Sequence, residues 1–258
     1  MICGVGCEIE RIEAMIRHAI WSSGMTGLVV GVSGGVDSGV AAALCARAVE
    51  PRRVLGLILP STVTSDADVG DARLLCESIG IPGRVVSIGP MVEAFMTMPG
   101  FEEDPLLIGN IMARVRMTVL YYHANSMRRL VCGTSNRSEY MVGYCTKWGD
   151  AAADIQPLLH LYKTEVRELA EELGIPEPIR KKPPSAGLWP GQRDEAELGM
   201  DYEELDATLM ALEEKGWRAE TPAEEKVAGM VRASMHKRMP PPHLSTTSRK
   251  GPGSSPEH

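Results

Sequence analysis

The chain has 258 residues, 44% of them hydrophobic, with 27 Lys and Arg against 34 Asp and Glu, for a net charge of -7. That length suits one large domain with an ordinary buried core, and the acidic balance argues against a general nucleic-acid binder while leaving room for a local basic pocket. No run reaches the ~18 apolar residues of a membrane span, and an N-terminus carrying Glu8, Glu10 and Glu13 lacks the basic start of a signal peptide, so a soluble, cytoplasmic protein is expected.

Taken in chain order, residues 8–24 predict an amphipathic helix, with Ile9, Ile12, Met15, Ile16 and Ile20 near helical spacing. "GLVVGV" at 27–32 is short, apolar and β-branched, and reads as a buried strand. A glycine loop follows, then a helix over 38–49. Residues 53–60, "RVLGLILP", predict a second buried strand ended by Pro60, and 66–80 a helix stopped at Gly80. Strands at 84–88 and 129–134 flank a long helix at about 108–128, and a further helix at 162–173 ends before Gly174 and Pro176. Two helices are predicted at 201–215 and 222–237.

Near-continuous apolar strands alternating with helices imply a parallel sheet covered on both faces. The expected fold is α/β, a doubly wound parallel sheet of about five strands with flanking helices and C-terminal helices. Residues 1–240 form the expected domain. Residues 241–258, rich in Pro, Ser and Gly, read as a disordered tail. The six cysteines, Cys3, Cys7, Cys45, Cys76, Cys132 and Cys145, are scattered without a C-x-x-C pair. That pattern speaks against a disulfide framework or a zinc site, and Cys3 and Cys7 read as reduced thiols.

The junction at 31–38, "GVSGGVDS", carries the clearest chemistry. It lies at the carboxyl end of the first strand, where ligands bind in open α/β sheets, and it opens a helix. Backbone N–H groups and the helix N-terminus can bind an anion there. Gly34 and Gly35 permit tight turns and close approach of phosphate, and Ser33 and Ser38 add hydroxyls. Asp37 conflicts with phosphate unless a cation such as Mg²⁺ sits between them. The Walker lysine and the dinucleotide G-x-G-x-x-G spacing are both absent.

S-G-G-x-D-S resembles the signature loop of the ATP pyrophosphatases, which cleave ATP between its α and β phosphates to adenylate a substrate. Within that group, "NIMARVRMTVLYYHAN" (110–125), "GTSNRSEYMVGYCTKWGD" (133–150), "DIQPLLHLYKTEVRELA" (154–170), "KKPPSAGLWPGQRDEAELGMDYEELD" (181–206) and "MHKR" (235–238) resemble NAD synthetase in order and spacing. The resemblance covers nearly everything from 9 to 240 and implies an adenine nucleotide alpha-hydrolase-like fold. It implies a ligase of the ammonia-using type, taking deamido-NAD, ATP and ammonia to NAD, AMP and diphosphate through an acyl-adenylate.

The resemblance also implies site roles. ATP would be held by Gly31, Val32, Ser33, Gly34, Gly35, Val36, Asp37, Ser38, Thr134, Lys163 and Ser185, and Mg²⁺ by Asp37 and Glu139. Deamido-NAD would be held by Arg114, Lys147, Asp154, His236 and Lys237, with Asp37 and Lys163 as the catalytic pair. Read alone, these residues allow plainer roles. Arg114 and Lys163 also read as solvated helix residues, Glu139 as a helix N-terminal charge, and His236 with Lys237 as a basic helix end near its carbonyls. Arg116, His123 and His160 are expected to be structural.

Ala151, Ala152 and Ala153 stand where the family has glycines, and Cys145 where it has a phenylalanine. Both departures bear on substrate affinity. A homodimer with no nucleic-acid or membrane partner is implied. Ammonia would be free or supplied by a separate subunit, since a glutaminase domain does not fit the length. The rival readings are another adenylating enzyme of this superfamily, such as a tRNA thiolase, and a non-catalytic ATP-binding sensor.

Overall fold

The computed structural model describes residues 4–244. In chain order the elements are α1 (Val5–Ser23), β1 (Leu28–Gly31), α2 (Val36–Ala48), β2 (Val54–Ile58), α3 (Asp66–Ser78), β3 (Gly83–Val85), α4 (Gly89–Met96), α5 (Pro105–Met127), β4 (Leu130–Cys132), α6 (Arg137–Val142), α7 (Lys163–Glu172), α8 (Glu177–Arg180), α9 (Asp194–Leu198), α10 (Tyr202–Glu214), α11 (Pro222–Ala233) and α12 (Met235–Arg238). No helix among them is long and apolar enough to cross a membrane.

The four strands are parallel in the order β3-β2-β1-β4. Alternate residues serve opposite faces. Leu28, Val30, Val54, Ile58 and Cys132 pack with α1, α2, α3 and α7, while Val29, Leu55, Leu57 and Val131 pack with α4 and α5. Burial on both faces is why these strands read as unbroken apolar runs. The alanine-rich α2 is buried almost all round, as expected of a helix enclosed by other elements. A third core, containing Val142, Leu198, Tyr202, Leu205, Leu209, Val227 and Val231, joins α6 to the C-terminal helices.

The sheet has four strands, not about five. Beyond β4 the chain makes a single parallel bridge, Cys132 to Ile155. The Gly133 N–H donates to the Ile155 carbonyl at 2.9 Å, but Pro157, lacking an N–H, follows two residues on and the pairing ends. The helix expected over 222–237 is divided at Ser234, whose Oγ bonds the Met230 carbonyl at 2.8 Å. The short helices α4, α6, α8 and α9 have too few residues to show a periodicity.

Cys7 is disulfide-bonded, which corrects the reading of it as a reduced thiol; Cys3, read in the same way, lies outside the described residues. Cys45, Cys76, Cys132 and Cys145 are free. Of the tail expected to be disordered, 241–244 is exposed and without regular structure, and 245–258 lies outside the described residues.

Candidate active site

Gly31 closes β1 at its carboxyl end, and Val32 is buried beneath the loop. Gly34 adopts φ +80, and a Cβ there would meet the Asp68 carbonyl at 2.8 Å and Asp71 Cβ at 3.0 Å. Only glycine suits both the left-handed backbone and the close approach of α3. Gly35 is the N-cap of α2 and brings no side-chain cap, so the first-turn N–H groups that begin at Val36 lack that partner and face the loop. The serine hydroxyls are engaged within the loop: Ser38 Oγ donates to the Gly35 carbonyl at 2.9 Å and accepts from the Ser33 N–H at 3.2 Å, while Ser33 Oγ accepts from the Gly35 N–H at 3.2 Å. They shape the turn and occupy the Ser33 and Gly35 N–H groups, leaving the first-turn amides of α2 from Val36 onward for an anion.

Asp37, in the first turn of α2, meets residues from two other elements. Asn136 caps α6 by accepting the Glu139 N–H at 2.9 Å, and its Nδ2 donates to Asp37 Oδ1 at 2.9 Å. Lys163 opens α7, where its own N–H donates to Ser138 Oγ at 2.9 Å. The Lys163 side chain is only 3% exposed, and its Nζ pairs with Asp37 Oδ2 and, at 3.2 Å, with Glu139 Oε1. The Tyr202 ring lies 4.9 Å from the same ammonium, favourably placed for a cation–π contact. Behind it, the Tyr202 hydroxyl is 3.2 Å from Asp194 Oδ2 and 3.4 Å from Glu139 Oε1.

The cluster is electrostatically tense. Burial alone would pull Lys163 towards neutrality, but Asp37 and Glu139 hold its pKa above the usual lysine value. Glu139 is pushed up to about 7, first by burial and then by Asp37 and Asp194, with Lys163 opposing. Both carboxylates therefore converge on one cationic point, now met by the lysine ammonium. Their hard oxygen donors suit Mg²⁺, and among the described residues no set of three or more His, Cys, Asp or Glu converges as a metal cage. Two protein carboxylates with phosphate oxygens and water completing the shell is the usual pattern for that ion, so the residues fit it.

A second group gathers on the 143–148 loop. Arg114, exposed on α5, donates to the Lys147 carbonyl at 3.3 Å. Lys147 Nζ bonds the carbonyls of His236 and, at 3.3 Å, Met239. Lys237 Nζ donates to the carbonyls of Gly143 and Cys145, each at 2.7 Å, and the exposed His236 lies against the Ala233 carbonyl. The structure thus brings Arg114, Lys147, His236 and Lys237 to one surface. Asp154 stands apart, accepting the Val131 N–H at 2.7 Å and the Tyr121 hydroxyl at 3.3 Å. Thr134 follows β4 directly, and Ser185 Oγ accepts the Gly187 N–H at 3.1 Å in the exposed segment before α9.

Ala151, Ala152 and Ala153 all have negative φ, so their Cβ atoms impose no left-handed strain. Arg116 donates from Nε to the Leu59 carbonyl at 3.2 Å and His160 pairs with Glu8 at 2.8 Å, both structural partnerships. Asn136, Asp194 and Tyr202 escaped the sequence reading. Asn136 with Glu139 three residues on is an N-cap signal that could have been found; the other two meet the cluster only through the fold.

A model of the family described as NAD synthase matches residues 8–241. The chain belongs to the NAD synthase family. It is 59% identical over 240 residues to the "NH(3)-dependent NAD(+) synthetase" of Methanoregula boonei, covering 93% of this chain and 97% of that one. The "NMN synthetase from Francisella tularensis" superposes with a TM-score of 0.86 at 37% identity, covering 94% and 99%. An "NH3-dependent NAD synthetase from Campylobacter jejuni", in complex with the nitrate ion, follows at a TM-score of 0.82 and 28% identity, covering 94% and 100%. Both solved structures therefore share the fold over 94% of this chain.

Proposed function

We propose that this chain is an ammonia-dependent NAD synthetase, a carbon–nitrogen ligase that amidates deamido-NAD with ATP. The observation that carries the reading is the buried ammonium of Lys163, fixed between Asp37 of the glycine loop and Glu139 of α6 at the carboxyl end of the sheet. The loop amides and the N-terminus of α2 bind the diphosphate part of ATP. Lys163 offsets negative charge as it builds on the phosphates. When bound by Asp37 and Glu139, Mg²⁺ supplies charge neutralisation at the phosphate oxygens.

Arg114, Lys147, His236 and Lys237 form the surface that holds the acid dinucleotide, and Asp154, apart from that surface, braces β4. The nicotinate carboxylate then lies in line with the α-phosphorus. Its oxygen forms the new P–O bond as diphosphate leaves, giving an acyl-adenylate. Ammonia adds at the acyl carbon and AMP departs with the bridging oxygen. No side-chain nucleophile is needed, and positioning with charge stabilisation accounts for the chemistry.

The quaternary reading is a cytoplasmic homodimer. It is supported by the exposed Met91, Phe95, Leu106 and Leu107 on α4 and α5. It is supported too by a cavity of about 290 Å³ between those helices, lined by Met91, Phe95, Ile111, Arg114, Val115 and Thr118. Ammonia is taken as the free species or received from a separate subunit.

The test is AMP and NAD release from ATP, Mg²⁺ and ammonium, with and without deamido-NAD. Equal amounts of AMP and NAD, and no AMP without the dinucleotide, are expected. AMP absent under both conditions would favour a nucleotide-binding sensor. Because one similar structure is named an NMN synthetase, nicotinate mononucleotide is the competing substrate. A higher kcat/KM for it than for deamido-NAD would overturn the substrate assignment alone.

A further inference from the structure

Asp194 and Tyr202 lie behind the charge cluster, on elements that the reaction above leaves unused. Asp194 opens α9 and is 4% exposed, and Tyr202 opens α10 and is fully buried. Asp194 Oδ1 accepts the Ala186 N–H at 2.9 Å and the Tyr144 hydroxyl at 3.0 Å. Its Oδ2 accepts the Tyr202 hydroxyl at 3.2 Å, and that hydroxyl is also 3.4 Å from Glu139 Oε1. A tyrosine hydroxyl has one hydrogen to donate, so two buried carboxylates compete for it.

The competition has a structural consequence. When Glu139 takes the hydrogen, Asp194 loses one of three donors at a site where water cannot replace it. When a cation engages the Glu139 oxygens, the hydrogen is released to Asp194. Asp194 in turn holds the Ala186 N–H, the neighbour of Ser185. The turn is also held by Leu188, which packs on the α5 side of the core, and by the Asp194 N–H, which donates to the Pro184 carbonyl at 3.2 Å. The Gly187 N–H is satisfied locally by Ser185 Oγ, and the Leu188 N–H by Gln192 Oε1 at 2.8 Å.

The geometry points to Tyr202 and Asp194 as positioning residues that couple a cation at Glu139 to the order of the 185–188 turn. The inference rests on reading Glu139 as the metal ligand and Ser185 as part of the nucleotide site. Through this link, whose Tyr202–Asp194 and Asp194–Ala186 bonds are already formed, a cation at Glu139 tightens the tie between the glycine-loop side and the Ser185 side of the nucleotide. Tyr202 is suited to the task because its ring is clamped in the C-terminal core and only its hydroxyl hydrogen needs to turn.

Hydrogen–deuterium exchange on the full chain tests this directly, with ATP plus Mg²⁺ compared with ATP plus EDTA. Peptides covering 33–38 report nucleotide occupancy, and peptides covering 185–188 report the clamp. In the wild type, Mg²⁺ slows exchange at 185–188 by roughly tenfold or more beyond ATP alone, the scale of one hydrogen bond to a charged acceptor. Tyr202→Phe retains protection at 33–38 and loses the Mg²⁺-dependent part at 185–188. Asp194→Asn, a second variant of equal size, does the same.

In turnover, Tyr202→Phe raises the KM for ATP and the half-saturating Mg²⁺ more than it lowers kcat. Equal Mg²⁺-dependent protection of 185–188 in wild type and Tyr202→Phe would overturn the coupling. Failure of ATP to protect 33–38 in the wild type would instead overturn the nucleotide reading of the loop, and this inference with it.

Discussion

Around Asp37, each charged group answers another: Lys163 meets two carboxylates, Asn136 fixes one of them, and Tyr202 stands between the second and Asp194. Around Lys147 the pattern differs. Lys147, Lys237 and Arg114 end on backbone carbonyls of the 143–148 loop and of the chain from 236 to 239; among the described residues none of them forms an ion pair, and the buried Asp150 acts on Lys237 only from a distance. The first region is pre-assembled around a buried ammonium, suited to stabilising charge in a transition state. The second holds spare cationic charge on a surface, suited to receiving an anionic dinucleotide that replaces weak carbonyl contacts.

Lys163→Met should break this contrast most severely. It leaves two largely but not fully buried carboxylates unpaired, where the cost approaches the roughly 3–5 kcal/mol of a fully buried pair. Thermal unfolding and turnover should both fall, turnover by orders of magnitude. A variant that kept wild-type melting and activity would remove the cluster from the account.

Asp37→Asn separates stability from catalysis. Its amide can still accept from Asn136, so the fold should persist while turnover drops by orders of magnitude; wild-type turnover there would end the metal-ligand role. The second region should respond in binding instead. Lys147→Met should raise the KM for deamido-NAD by about tenfold, roughly 1.4 kcal/mol, with kcat little changed. A fall in kcat alone would show that the two regions are not divided in this way.

The smallest effect concerns pH. Glu139, held near 7 in the metal-free fold against an ordinary 4.5, binds its proton more tightly folded than unfolded. Its contribution to stability is therefore full below about 4.5 and is lost as pH rises through 7. Glu139→Gln should flatten the metal-free stability profile across that window, as chemical denaturation at successive pH values would show. An unchanged slope would contradict the tension assigned to the cluster.

The same contrast explains what could be read before the fold was known. The glycine loop is local: strand, turn residues and helix start lie within "GLVVGVSGGVDS", so its geometry is legible in sequence. β1, β2 and β4 were legible because each is apolar on both faces, while the edge strand β3, partly exposed and carrying Arg84, showed itself only through the β-branched run that follows it, and the missing fifth was miscounted because one bridge ended by Pro157 has no pattern of its own. Lys163 was named through a family likeness, since a lysine at a helix start looks solvated until two distant carboxylates are folded against it. Tyr202 and Asp194 carried no signal, because their roles come from meeting Glu139 across about 60 residues of chain. The serines of the loop, expected to offer hydroxyls to phosphate, also hold the turn itself through hydrogen bonds that spacing does not reveal.

The central claim is that a nicotinate carboxylate attacks the α-phosphorus of ATP at the Asp37–Glu139–Lys163 cluster. The most direct measurement uses deamido-NAD labelled with ¹⁸O in that carboxylate, with ATP, Mg²⁺ and ammonium, and mass analysis of the products. The account predicts one labelled oxygen in AMP, carried over as the acyl-adenylate is opened by ammonia, and none in diphosphate. AMP without label, or label in diphosphate, would contradict it.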